Sequence, residues 1–434
     1  MKNMNIEISY SSRKVSFNIP EKNLAGIIRP RETAAALNQS QIDLAISGSK
    51  TAEEFISIVQ GKNLCILLPD GTRDLPIDKV LKALTALLDR PKHIRFMICT
   101  GTHDAETEQN KLIINQTASL MQKSGIKNFD IVIHNCDKAE FIDAGTTSRQ
   151  TNVLYNAAIK DMDVFLALSD VKHHYFAGYS NPVKNFVPGL CAYKTAEGNH
   201  ALSLDEHSRF GTHPWHRIKE LQDNPLAADQ VEAMEKIIDR RAFWAVVMLS
   251  TKGQIQWLDF GKAKEVAAEA FSKADEWNLY EVKQVERIIV SPGGTPNDID
   301  LYIAQRALEL TKQAIADGGE ILFVSACDKG IGAERTMQHF WNLLTRPAEE
   351  VLATVRGGPY KLFSHKPLRF VELISRLRHL WLYSELDDET VRAGHLSPAS
   401  NIQEIVDRWL RQKPDVKILA VDGANKLAIR AAKN

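Results

Sequence analysis

The chain has no excess of charge of either sign: Lys plus Arg and Asp plus Glu both total 54 in 434 residues. That balance leaves no global field for nucleic acid or an anionic membrane surface and points to a small-molecule partner. No apolar run approaches the roughly 18 residues that cross a bilayer, and the first residues lack the apolar centre of a signal peptide, so a cytoplasmic protein is expected. Cysteine is scarce. Cys65, Cys99, Cys136, Cys191 and Cys327 form no CxxC pair, which removes the usual thiolate metal site, suits a reducing compartment and predicts small core residues. The glycine patterns GxGxxG after the first buried strand and GxxxxGK[ST] are missing, so an ordinary nicotinamide site or phosphate loop is unsupported; HExxH is missing too, which argues against a hydrolytic zinc site. Internal repeats and low-complexity tracts are also absent.

What the chain does have is a dense ionisable stretch at 173–189, HHYFAGYSNPVKNFVPG, followed by Asn199 and His200. Glycine and proline at this density punctuate a loop, and two adjacent imidazoles with Lys184 have little use in a core. Short continuous apolar runs lead into this loop and others like it. Residues 64–68 read as a strand buried on both faces of a parallel sheet and end at Asp70, Gly71, Thr72 and Arg73; Asp74 is a plausible cap for the helix from Pro76, whose apolar face is Ile77, Val80, Leu81, Leu84 and Leu88. Residues 94–99 repeat the pattern and end at Gly101, Thr102 and His103, and residues 164–168 end at the 173–189 loop. Ligands of open parallel sheets bind beyond the carboxyl ends of the strands, so three consecutive ionisable exits predict one site containing Asp70, Arg73, His103, His174 and Lys184.

The alternation of strands and helices gives an α/β fold of two domains, each with a mainly parallel sheet flanked by helices, and an active site in the crevice between them. The expected division is 1–280 for a cofactor-binding and catalytic domain that opens with a hairpin, and 281–434 for a domain closing over the substrate. Further helices are expected at 32–37, 51–59, 155–160, 230–238, 263–277, 301–316 and 402–410. His207, His213 and His216 read as surface groups of a turn-rich segment.

An arginine, two proton-exchanging histidines and a lysine with a third histidine suit a small hydroxy- or keto-acid. The IPEKNL segment at 19–24, the spacing from Asp70 through Thr72 and Arg73 to Pro76, the Gly101, Thr102, His103 run, the His174 to Lys184 spacing and the Asn199, His200 pair together resemble the lactate racemase family over most of the chain. The resemblance implies a nickel-pincer nucleotide, a pyridinium-derived mononucleotide attached covalently to Lys184, with His200 as the protein ligand to Ni. It makes His103 and His174 the catalytic acid/base pair and places Arg73, Tyr302 and Arg306 on the substrate. Asp70, Thr72 and Ser180 are assigned to the cofactor, and cofactor-maturation enzymes of the host are implied as partners. Asn181 and Pro182 stand where the family commonly has two glycines, and Ile303 and Arg306 stand where it has glutamine and lysine.

The expected activity is racemisation or 2-epimerisation of a 2-hydroxy acid by reversible hydride transfer through a 2-keto acid. An aldonate or other sugar acid is a serious substrate option, because Arg306, His173 and Asn181 add polar contacts. A hydroxy-acid oxidoreductase with net keto-acid release, and a non-catalytic small-acid binding homologue, are the alternatives.

Overall fold

The computed structural model describes residues 2–31, 34–48, 50–72, 75–251 and 253–432. Arg73, expected on the substrate, and Asp74, expected as a helix cap, lie outside them. The chain forms two compact units, residues 32–276 and residues 1–31 together with 277–434. Both are α/β, as the alternation of elements predicts.

In the 32–276 unit six strands lie in the order Gln254–Lys262, Ala242–Thr251, Val164–Asp170, Asn63–Pro69, His93–Cys99 and Phe129–Ile133. All pairs are parallel except the first, which is an antiparallel hairpin at the edge. Leu64 through Leu68 are fully buried, which explains why an unbroken apolar run, rather than an alternating one, encodes this central strand. The helix Ile77–Leu84 covers one face of the sheet with Ile77, Val80, Leu81 and Leu84 and packs among Ile42, Ile46 and Phe55. Truncating Leu81 to alanine there would cost roughly 2–5 kcal/mol.

The chain order reverses inside this sheet. From Asn63–Pro69 it runs outward through His93–Cys99 to Phe129–Ile133, then returns to lay Val164–Asp170 on the other side of Asn63–Pro69. The crevice of a doubly wound sheet opens at such a reversal. Asp70 follows one of the two flanking strands and the 173–189 loop follows the other.

In the second unit a six-stranded parallel sheet has the order Ser397–Pro398, His379–Tyr383, Ile315–Val324, Val285–Ser291, Ile418–Asp422 and Leu24–Ile28. The first 31 residues therefore belong here and not with the segment that follows them. Leu24–Ile28 is hydrogen-bonded to Ile418–Asp422, and the Asn3–Tyr10/Arg13–Pro20 hairpin buries Ile6, Ile8, Phe17 and Ile19 against Ile289, Leu322 and Trp409. A strand pairing with a segment almost 400 residues away leaves no local trace in the sequence.

Other local expectations also shift. Residues 34–38 are not helical; the helix starts at Gln39, because Asn38 and Gln41 form a reciprocal capping box that fixes its first turn. In place of a helix over 155–160, Asn152–Asn156 is a strand paired with Phe141–Thr146, and only Ala157–Ile159 turns, as a short 3₁₀ helix. Ile315–Val324 is a ten-residue strand, so the helix before it stops at Thr311.

Candidate active site

Asp70 is buried directly after its strand, and its two carboxylate oxygens do different work. Oδ1 accepts the Thr72 hydroxyl at 2.7 Å and the Thr72 backbone N–H at 3.3 Å, closing the tight turn. Oδ2 lies 2.6 Å from Nδ1 of His103, which comes from the exit of the neighbouring strand. An ionised carboxylate only accepts, so this contact places the imidazole proton on Nδ1 and leaves Nε2 of a neutral His103 with its lone pair. The His103 side chain is 45% exposed, open enough to meet a ligand. Thr72 thus holds Asp70, and Asp70 orients His103.

The loop after Val164–Asp170 folds into a two-residue antiparallel ladder that pairs His173 with Tyr179 and His174 with Gly178. His174 Nδ1 accepts the Ala177 backbone N–H at 3.3 Å, which puts the proton of a neutral ring on Nε2. Ser180 closes the base of the loop: its hydroxyl donates to the Asp170 carbonyl at 2.8 Å and accepts the Lys172 N–H at 3.1 Å. Lys184 follows on the 3₁₀ turn Pro182–Asn185, and the Asn185 amide beside it donates to the carbonyls of Leu67 and Leu168 at 3.2 and 3.1 Å. Those carbonyls belong to the two strands that flank the reversal point, so the lysine-bearing turn is anchored across it. Gly101 ties the His103 loop to the same region by donating to the Gly189 carbonyl at 3.1 Å.

Phe176 is the piece that reading the residues alone missed. Its buried ring is 4.4 Å from the His174 ring and 5.3 Å from that of His200, both edge-on, and 5.7 Å from Lys184 Nζ. One phenyl thus gathers the three groups singled out around this loop. His200 rides on the helix Tyr193–Ala201. Burial, and next the charge of Lys184, push its pKa down to about 3 against a hydrogen bond with the Ala196 backbone, so the ring is a neutral nitrogen donor at ordinary pH.

The lactate racemase N-terminal domain model matches residues 10–211. The lactate racemase of Thermoanaerobacterium thermosaccharolyticum is 25% identical over 338 residues, 76% of each chain. That of Lactiplantibacillus plantarum is 23% identical over 340 residues, again 76% of each. The lactate racemase apoprotein structure from T. thermosaccharolyticum superposes with a TM-score of 0.82 at 20% identity, covering 98% of this chain and 100% of that one. A crystal structure of a Thermotoga maritima protein gives 0.63 at 14% identity over 92% and 99%. Residues 10–211 thus match a lactate racemase N-terminal domain, and the whole chain shares the fold of the lactate racemase apoprotein. Both of the sequence relatives are lactate racemases, which are isomerases.

Two of the residues assigned by this family resemblance lie in the other unit, on the helix Leu301–Thr311, which Asp300 caps by accepting the Ile303 N–H at 2.7 Å. Tyr302 packs edge-on against Phe340 and Phe363, and Arg306 is partly buried one turn further on. Lys366, unremarked in the sequence, is buried with its Nζ 4.1 Å from the Tyr302 ring centroid and donates to the Tyr302 carbonyl and to Gln305. Burial pushes its pKa down to about 7.

His213 and His216 are not surface groups. Both are buried, His213 against Phe271 and His216 stacked on Tyr179, while His207 alone of the three is exposed. A turn-rich sequence hides this because the burial comes from a distant helix. All five cysteines are free and buried, as small core residues should be. Among the described residues no helix is long and apolar enough to cross a membrane.

Proposed function

We propose that the protein is a nickel-pincer-dependent racemase or 2-epimerase of a 2-hydroxy acid, working by reversible hydride transfer through the 2-keto acid. The observation that carries this reading is the complementary setting of the two histidines: His103 has its Nδ1 on Asp70 and a basic Nε2, whereas His174 has its Nδ1 occupied by a backbone N–H and an acidic Nε2–H. His103 Nε2 is set to take the substrate hydroxyl proton, and His174 gives one back from Nε2 when it enters the turnover as imidazolium, its second proton then displacing the Ala177 N–H from Nδ1. After such a turnover His103 is the imidazolium and His174 the neutral base, which is the arrangement the opposite stereoisomer needs.

The residues fit the cofactor that the family resemblance implies. Lys184 offers a primary amine on a fixed turn, and His200 offers one neutral imidazole nitrogen; both flank Phe176. Among the described residues no three His, Cys, Asp or Glu side chains gather into a metal cage. A metal that arrives with most of its donors on its own organic ligand suits a single protein nitrogen. When bound, such a group supplies the acceptor that takes hydride from C2 and returns it to either face. Phe176 and Tyr175 keep the wall beside His174 apolar and limit water there. Arg73 remains the proposed carboxylate contact, and the assignment of Tyr302 and Arg306 to the substrate rests on the family resemblance alone. A sugar acid such as an aldonate stays within this reading, because Arg306 replaces a lysine and Arg and Lys present different donors. With every cysteine reduced, we keep the cytoplasm as the place of action, and the host's cofactor-maturation enzymes as partners.

Protein purified from its native host should carry a mass increment at Lys184 and stoichiometric nickel, and should invert C2 of one member of a panel of single-stereoisomer 2-hydroxy acids. Active protein with an unmodified lysine would refute the cofactor; loaded protein that inverts nothing would refute the activity.

A further inference from the structure

His173, expected as a polar contact for a sugar acid, is buried next to His174 and lies in a polar cluster around Asp275. Its Nε2 is 2.8 Å from Oδ1 of Asp275, on the helix Ala263–Asn278. The Tyr179 hydroxyl donates to the same oxygen at 2.7 Å. His173 and Tyr179 are partners across the two-residue ladder, so a single carboxylate oxygen staples both strands of the loop. Oδ2 faces Nε2 of His216 at 3.4 Å. His216 Nδ1 accepts the Ile218 N–H at 3.0 Å, so the proton of a neutral ring lies on the nitrogen facing Asp275.

Burial alone would raise the Asp275 carboxyl, but the hydrogen bonds from His173, His216 and Tyr179 outweigh it and hold it well below the usual carboxylate range, as an ionised acceptor. Tyr179 stacks on Phe271 one turn before Asp275, at 4.3 Å and 15°, which fixes the ring that carries the hydroxyl. The backbone locks the other edge: Gly178 has φ +75°, and a Cβ there would lie 1.6 Å from the Thr212 carbonyl oxygen.

We infer that Asp275 is a positioning residue: by stapling His173 to Tyr179 it sets the loop that presents His174. The inference rests on the acid/base role proposed for His174. Successive side chains of a strand point to opposite faces, so His173, turned toward Asp275, sends His174 the other way, toward Phe176. A ladder of two residue pairs has no stability of its own. Without its staple the His174 ring samples several positions, and a displacement of about 1 Å in a catalytic group can cost on the order of a hundredfold in rate.

The test compares Asp275→Ala with Asp275→Asn in full-length, cofactor-loaded protein. The asparagine oxygen can still accept from both His173 and Tyr179, so D275N should retain most of the activity. D275A should lose roughly ten- to a hundredfold in kcat with KM little changed. A second arm needs no activity: imidazole nitrogen NMR of histidine-labelled protein, with His174 assigned through His174→Gln. In D275A the His173 N–H signal should vanish and the His174 signals should broaden or shift, while those of His134 stay in place. An unmoved His174 in folded D275A, or unchanged kcat, overturns the inference. If wild-type protein inverts no acid, the racemase reading fails while the NMR arm still decides whether Asp275 sets His174. Should D275A not fold, Tyr179→Phe removes one arm of the staple: a shifted His174 supports the inference and an unmoved one overturns it.

Discussion

Replacing Asp70 by asparagine isolates the tautomer argument, because the two side chains have the same shape. In the wild-type protein both oxygens of Asp70 accept, one from Thr72 and one from His103 at 2.6 Å. An amide has one accepting oxygen, so the substituted side chain can satisfy Thr72 or His103 but not both. If the amide NH₂ faces His103, it donates to Nδ1 and drives the ring proton to Nε2, where the basic lone pair is needed. If the oxygen faces His103, the bond survives without its charge and the Thr72 turn loosens. A hydrogen bond to a charged group is worth about 1.5–3 kcal/mol. At 1.36 kcal/mol per tenfold, its loss in the transition state corresponds to a kcat lower by roughly ten- to a hundredfold. The assay is the initial rate of inversion of a single stereoisomer, followed by chiral chromatography, with thermal unfolding as the control for folding. A folded Asp70→Asn protein with kcat within twofold of wild type would show that Asp70 does not set His103, and the proton scheme would fall with it.

Phe176→Ala removes the ring common to His174, Lys184 and His200; a loss of about 3–5 kcal/mol in urea-unfolding stability is expected, with Phe176→Leu distinctly milder. Thiol titration should find the cysteines inert in the native state and five reactive thiols after denaturation, because all are buried and burial pushes the Cys327 thiol up to about 12. Stability should fall with acid. Burial holds His134 down to about 4, and its Nδ1 accepts from Asn156 while Nε2 donates to the Cys191 carbonyl. The unfolded chain, with an ordinary imidazole near 6.5, then binds the proton first, so stability is lost as pH drops from about 6.5 toward about 4. Between pH 7 and pH 5 this one group accounts for about 2 kcal/mol, measurable as a lower urea midpoint. His213, held down to about 3 by burial and then by His216, adds to the fall in the same direction.

Contacts made within one strand exit were the readable part of this chain. Asp70 and Thr72 close their turn between themselves, and the apolar run before them declares a buried parallel strand. Contacts between exits could be argued only through topology: that Asp70 meets His103 follows from their strands being neighbours, which the alternation of elements suggests but no spacing encodes. The burial of His213 and His216 was not readable, because it depends on Phe271 and Asp275, almost 60 residues later. Lys366 escaped notice for the same reason, since its partners Tyr302 and Gln305 lie on another helix. The edge hairpin Ala242–Thr251/Gln254–Lys262 is different: its sequence is apolar and alternating enough to encode two strands, set between helices on either side.

The departure at Asn181 and Pro182 follows from the same geometry. Two glycines in a loop suggest a backbone that only glycine can follow, yet Asn181 has φ −162°, extended backbone open to any residue. Its side chain accepts the Val183 N–H at 2.9 Å and donates to the Tyr179 carbonyl at 3.0 Å, so it caps the turn that carries Lys184. Pro182 occupies the first position of that turn, where the ring's fixed φ fits and a missing N–H costs little. The strict demand for glycine lies three residues earlier, at Gly178, where φ is positive and the Thr212 carbonyl leaves no room for a Cβ. This chain keeps that glycine. A cap and a preset first turn thus hold the lysine-bearing turn on its anchors, Leu67 and Leu168, with no need of glycine at either position.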